Sequence, residues 1–284
     1  MTMNAVETHD LARSFNGRQA VRGISFSVAE GEVFGLLGPN GAGKTTTIRM
    51  LTGQLRPTAG EARVAGCDVV RDRQALKAQI GVVFEYQNLY ERMSGRDNLQ
   101  FAARIFGCGP GRVDEMLAKV GLTDRAGDPI RNYSNGMKQR LLIARALLHQ
   151  PKTIFLDEPT KGLDPTASRQ IRDLVRELAG RGVTILLTTH YMEEADQLCR
   201  RLAFLDEGRI VALDTPQNLK VAHGRREVRA VFRDGSQRTL RLDNPADGRI
   251  LGERAAGGDI LTVHSAEATL EEIFIRMTGK GLNE

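Results

Sequence analysis

The sequence predicts an α/β fold with a mostly parallel central sheet and helices on its faces. Three observations carry this. A short apolar run, Val33 to Leu37, passes directly into a glycine-rich loop and then a helical pattern with Ile48 and Leu51. Two further apolar runs, Thr153 to Leu156 and Val183 to Thr188, read as strands buried on both faces. Helical stretches, Gly136 to His149 and Pro165 to Ala179, precede and separate them, and such alternation favours parallel pairing.

Taken in order, residues 20 to 30 alternate apolar and polar (Val21, Ile24, Phe26, Val28), as a half-buried strand of an N-terminal antiparallel part does. Glu30-Gly31-Glu32 makes the turn into the Val33 run. No convincing strand is visible between about 90 and 150, so a helical insert is expected there. Ser94-x-x-Asp97 has the form of a capping box ahead of Leu99, Ala102 and Ile105. Val113, Met116, Leu117 and Val120 repeat at helical spacing. After about residue 220 the composition changes. Val228, Ala230 and Phe232 alternate with arginines, Asp234-Gly235 follows, and then Leu240 and Leu242, a hairpin signal. Ile260 to Val263 reads as another strand, and Leu270, Ile273, Phe274 and Met277 as an amphipathic final helix closed by Gly279. The expected division is a domain over 1–220, with its insert, and a small α+β domain over 221–284.

Composition narrows the function classes. The 284 residues are 41% hydrophobic and 26% charged, ordinary for a folded globular chain. A net charge of +5, from 40 basic and 35 acidic residues, is too mild and too mixed to imply nucleic acid. Three scattered cysteines, Cys67, Cys108 and Cys199, give neither a disulfide frame nor a zinc spacing and point to a reducing compartment. No run approaches the ~18 apolar residues of a membrane span, and Met1 to Phe15 has no signal-peptide core, so a cytoplasmic location is expected.

The chemistry begins at Gly38-Pro39-Asn40-Gly41-Ala42-Gly43-Lys44-Thr45, which fits G-x-x-x-x-G-K-[ST] without a mismatch. The glycines let backbone N–H groups converge on phosphate oxygens, and the helix that follows adds its N-terminal dipole. Lys44 supplies positive charge for the β- and γ-phosphates, Thr45 a hydroxyl for Mg²⁺, and Thr46 continues the nucleotide-binding set. The run Thr153 to Glu158 is an apolar strand ending in two acids, delivered beside the phosphate loop in a doubly wound sheet. Asp157 is expected to hold Mg²⁺ through water, and Glu158 to polarise the attacking water.

A third element distinguishes among phosphate-loop proteins. Tyr133-Ser134-Asn135-Gly136-Met137 precedes Lys138-Gln139-Arg140 and an apolar helix, and Gly162-Leu163-Asp164-Pro165 and His190 follow in order. Together these strongly resemble an ABC-type ATPase subunit over about residues 5 to 220. The resemblance implies a head-to-tail dimer, homodimeric or with a related subunit, holding two ATP molecules between protomers. In it Ser134, Asn135 and Gly136 look like the signature segment that grips the γ-phosphate. A lone serine-glycine pair before a helix is ordinarily only an N-cap. His190 looks like the γ-phosphate sensor that orients Glu158, Asp164 the dimer-loop acid, and Phe15 the aromatic that stacks on adenine. Glu85 stands where many family members carry glutamine; it is expected to ligate Mg²⁺ in the ATP state, with Gln87 as an alternative. Tyr86 to Asn98 resembles the stretch that contacts a membrane partner. Tyr133, Met137 and the tail Leu270-Glu271-Glu272-Ile273-Phe274 resemble the ABC-2 exporter group of drug-resistance and sodium-extrusion ATPases. That implies an ABC-2 type permease on a separate chain, with this subunit at the cytoplasmic face of the membrane.

Two other function classes compete. A soluble ABC ATPase acting on nucleic acid or ribosomes usually carries two ATPase units, long coiled coils or zinc-binding cysteine pairs, and this chain shows one phosphate loop and none of the others. A non-hydrolysing nucleotide-binding regulator is opposed by the intact set Lys44, Asp157, Glu158 and His190.

Overall fold

The computed structural model describes residues 3–223, 227–265 and 268–280. The chain divides into two compact units between Leu213 and Asp214. The boundary expected at 220 therefore falls inside a helix, Pro216–His223, that belongs to the second unit.

The first unit opens with strands β1 (Asn4–Phe15), β2 (Arg18–Ala29) and β3 (Val33–Leu37), then helix α1 (Lys44–Leu51). Next come β4 (Ala59–Val64), β5 (Cys67–Asp68), α2 (Arg73–Gln79) and β6 (Ile80–Val83). Helices α3 (Gly95–Ile105), α4 (Arg112–Lys119) and α5 (Asn135–Leu147) occupy the region expected as a helical insert. Then β7 (Thr153–Asp157), α6 (Pro165–Gly180), β8 (Thr184–Thr189), α7 (Met192–Leu198), β9 (Arg201–Asp206) and β10 (Arg209–Asp214) follow. Ser94 caps α3 by accepting from the Asp97 N–H, and Asp97 returns a bond to the Ser94 N–H, so the capping box is complete.

Two sheets form the unit. One is antiparallel, in the order β2-β1-β4-β5. The other runs β10-β9-β3-β8-β7-β6, with β9, β3, β8, β7 and β6 all paired in parallel. All residues of β3, β7 and β8 are buried, as the continuous apolar runs require. The sheets share one core, in which the Phe26 and Phe34 rings stack at 5.3 Å, beside Ile48, Leu51, Val64, Phe155 and Leu186. Strands β1, β4, β5, β6, β9 and β10 and helices α2 and α7 lie outside the elements read from sequence.

The second unit contains α8 (Pro216–His223), β11 (Glu227–Phe232), β12 (Gln237–Arg241), α9 (Pro245–Ala256), β13 (Ile260–Ser265) and α10 (Leu270–Thr278). The hairpin β11–β12 turns at Asp234-Gly235, β13 pairs on the other side of β11, and Gly279 ends α10 with φ 71°. Its core gathers Val228, Ala230, Phe232 and Leu240. Helix α9, unanticipated in the sequence, buries no residue completely. Among the described residues no helix is long and apolar enough to cross a membrane.

Candidate nucleotide and hydrolysis site

Sheet register assembles the site. Leu37 at the end of β3 lies beside Thr189 of β8, and Asp157 at the end of β7 lies beside Thr188. The chain then leaves all three strands on the same edge, as the Gly38 loop, Glu158 and His190. Gly38 is fixed by close approach: a Cβ there would stand 2.0 Å from the Leu205 carbonyl oxygen. The loop, with Ala20, Glu85 and Glu158, lines a cavity of about 210 Å³ that includes Pro39, Asn40, Gly41, Gly43, Lys44, Thr45 and Thr46. Ala42, only 4% exposed, packs into the core beneath.

Lys44 is buried and curls over its own loop. Its Nζ donates to the Gly38 oxygen at 2.6 Å and the Pro39 oxygen at 3.1 Å, and lies 3.2 Å from Glu158 Oε1. The other carboxylate oxygen of Glu158 lies 2.8 Å from His190 Nδ1. Glu158 is thus held from both sides, at a left-handed backbone position, φ 52°, that non-glycine residues rarely adopt. Its N–H donates to the Thr188 oxygen at 3.0 Å, which fixes the turn. Glu158 thus contacts both the lysine and the histidine expected to share the chemistry with it.

Asp157 is buried, and the Thr188 hydroxyl donates to its Oδ1 at 2.5 Å, while Oδ2 is buried without a hydrogen-bond partner. Burial pushes the Asp157 carboxyl up; the Thr188 and Thr45 hydroxyls pull it back down, and nearby Glu158 and Glu85 push it up again. A divalent cation fits this arrangement, because a buried carboxylate oxygen that makes no hydrogen bond wants positive charge. Among the described residues no group of three or more His, Cys, Asp and Glu side chains forms a metal cage. A cation here would therefore draw much of its coordination from phosphate and water, as Mg²⁺ does. Glu85 also faces this cavity, whereas Gln87 is exposed and does not line it. Glu85 is engaged by Lys161, whose Nζ donates to Oε1 at 2.6 Å, and this carboxylate keeps the Lys161 ammonium charged to higher pH than usual.

Other expected residues lie elsewhere. Ser134 is the N-cap of α5, accepting from the Met137 N–H at 3.2 Å, and neither it, Asn135 nor Gly136 lines the phosphate cavity of its own chain. Gly136 is fixed by packing: a Cβ there would stand 2.7 Å from Ala167 Cβ in the first turn of α6. Asp164 caps α6 by accepting from the Ala167 N–H at 2.9 Å. Phe15 ends β1 half-exposed, with the Arg13 guanidinium 4.6 Å from its ring centre. Sequence reasoning did not reach Thr188, Lys161 or Glu194. Thr188 carried a signal, a polar pair Thr188-Thr189 ending the apolar run Ile185-Leu186-Leu187. Glu194 is buried beside Thr160 and Thr189; burial raises its pKa, and those hydroxyls oppose the rise.

A glycine cradle closing onto a buried lysine, a strand-end carboxylate pair and a histidine just past the neighbouring strand define a nucleotide site of phosphate-loop type. Residues 21–161 match the family model described as ABC transporter. The chain is 44% identical over 267 residues to a fluoroquinolones export ATP-binding protein of Mycobacterium tuberculosis, covering 93% of this chain and 89% of that one. It is 37% identical over 308 residues to a daunorubicin resistance ATP-binding protein of Streptomyces coeruleorubidus (98% and 97% covered). It is also 36% identical over 308 residues to a Nod factor export ATP-binding protein of a Rhizobium species, covering 100% of both chains. Among solved structures it is similar to a subunit of the cbiONQ ABC transporter complex of Clostridium perfringens, with TM-score 0.71, 29% identity, and 77% and 91% covered. A dimeric ATP-binding cassette bound to ADP and phosphate matches with TM-score 0.68 and 25% identity, 74% and 98% covered. The chain belongs to the ATP-binding subunits of ABC transporters, and these likenesses do not favour the nucleic-acid reading.

Proposed function

We propose that this chain is the ATP-hydrolysing subunit of an exporter, working as a head-to-tail dimer at the cytoplasmic face of a membrane beneath a permease of ABC-2 type. The observation that carries the hydrolytic reading is the contact set Lys44–Glu158–His190 beside Asp157. The N–H groups and helix dipole of the Gly38 loop and α1 bind the triphosphate, and Lys44 exchanges its contacts in the loop for phosphate oxygens. Thr45 and Asp157, with Glu85, would hold Mg²⁺, which offsets charge on the phosphates. Glu158, oriented by His190, accepts a proton from the attacking water. Phe15 offers an aromatic face to the base.

Ser134 and Asn135 sit exposed at a helix tip, with Gly136 buried beside them, and Asp164 sits exposed at the start of α6, so a second copy is the natural source of the missing half of each site. The relatives' names support the exporter reading. So does an exposed apolar set on the helical region, Tyr86, Tyr90, Phe101 and Ile105, in a chain with no described membrane helix. Arg145 of α5 donates to the Asn88 oxygen at 2.8 Å, tying this surface to the helix that begins at Asn135. A permease docked there would sense motion of the Ser134 tip.

Ser134→Arg tests the composite site, because it leaves the chain's own phosphate cradle intact. The variant is expected to bind one ATP per chain but not to dimerise with ATP. ATP-dependent dimers and unchanged turnover in that variant would refute the shared site. Turnover of the purified subunit with and without its co-expressed membrane protein tests the coupling, which predicts stimulation by the membrane protein.

A further inference from the structure

The loops that follow β6 and β7 meet across the phosphate cavity, and each brings a charge. Glu85 leaves β6, Lys161 follows the turn after β7, and the two are joined at 2.6 Å although 76 residues apart in sequence. Glu85 lines the cavity with Lys44, Thr45 and Glu158. Three carboxylates, Asp157, Glu158 and Glu85, therefore crowd a site meant for a polyanion, and Asp157 feels the field of the other two. Lys44 is engaged by Glu158, leaving Glu85 to be neutralised by Lys161. A bare carboxylate at this wall would repel phosphate; a paired one is a nearly neutral hydrogen-bonding group.

We propose that Lys161 is a positioning residue of the phosphate site: it masks Glu85 until a divalent cation competes for the carboxylate, and so sets the Mg²⁺ dependence of nucleotide binding. The inference rests on the nucleotide reading above and deepens it. Lys161 bonds Glu85 and feels Glu158 only as a weaker, more distant charge, so its main effect runs through Glu85 and is separable from a general electrostatic effect of one surface lysine. Removing Lys161 unmasks the carboxylate, with two opposite consequences. Nucleotide without metal is repelled more strongly, and Mg²⁺ with nucleotide is held more tightly. Both largely disappear when residue 85 is neutral.

The test is a titration of a fluorescent ATP analogue into the full chain, in EDTA and at graded Mg²⁺. Four proteins are compared: wild type, Lys161→Ala, Glu85→Gln and the double variant. Lys161→Ala is expected to weaken metal-free binding about 5-fold and to lower the half-saturating Mg²⁺ by a similar factor, the scale of one partly screened charge. In the Glu85→Gln background the same change is expected to alter both quantities less than about 2-fold, and Lys161→Arg to keep wild-type values. An effect of equal size in both backgrounds, or none in wild type, would overturn the inference. A wild-type chain that binds no nucleotide at any Mg²⁺ concentration would instead overturn the nucleotide reading itself.

Discussion

Replacing Glu158 with glutamine separates three roles of one side chain. In the structure the carboxylate faces Lys44 at 3.2 Å, with both side chains about 95% buried, at 6% and 5% exposure. At an effective dielectric constant of about 20, that separation corresponds to about 5 kcal/mol of Coulomb attraction. Desolvation takes back part of it, and breaking a buried pair by removing one charge typically costs about 3–5 kcal/mol. Here the cost is lower, because Lys44 keeps its bonds to the Gly38 and Pro39 oxygens and the glutamine oxygen still accepts. A loss of about 1–3 kcal/mol without nucleotide is expected, or about 2–12 °C in melting temperature for a domain of this size. The same free energy reappears as affinity. Phosphate no longer displaces a carboxylate from Lys44, so ATP should bind about 5- to 150-fold more tightly. Turnover should fall about 10²–10⁴-fold through loss of the base. Thermal melts with and without Mg·ATP, a binding isotherm and a phosphate-release assay read the three effects. Unchanged melting and unchanged affinity would show that the Lys44–Glu158 contact carries no energy, and turnover near wild type would remove Glu158 as the base.

Gly136→Ala places a methyl 2.7 Å from Ala167 Cβ, an overpacking worth about 1–3 kcal/mol, of which the better helix propensity of alanine returns at most about 1. Thermal melts should show a drop that Ala167→Gly in the same chain relieves; a variant melting at or above wild type would contradict the contact. Glu194 has a folded-state pKa raised by burial above its ordinary 4.5, so its contribution is fully present below that value and is lost as pH rises through the folded one. Glu194→Gln should therefore gain stability over wild type as pH climbs above 4.5, and melts across pH 4 to 8 would refute this if the difference were flat or shrank.

The phosphate loop was legible because its chemistry demands particular residues at fixed spacing, and packing against the Leu205 carbonyl separately bars a side chain at Gly38. Strands β3, β7 and β8 were legible because both their faces are covered, which forces unbroken apolar runs. Strand β1 was not. Its register with β2 shifts four times, Asp10 sits at φ 46° within it, and its polar faces break the alternation a reader looks for. Helix α9 buries nothing completely, so it prints no apolar period. The signature residues were recognisable by order, yet the structure gives Gly136 a packing duty against α6 that no local pattern discloses. Lys161 was invisible for a simpler reason: its meaning depends on Glu85, far away along the chain.

One small contact constrains which substitutions this chain tolerates. The Tyr133 hydroxyl donates to the Arg125 oxygen at 2.7 Å and passes over Gly95, where any Cβ would stand 2.2 Å from that hydroxyl oxygen. A chain with leucine at position 133 has no such hydroxyl and tolerates larger residues at 95. The order of changes is therefore sterically constrained: with tyrosine at 133 residue 95 is held to glycine, and removing the tyrosine first is what frees position 95.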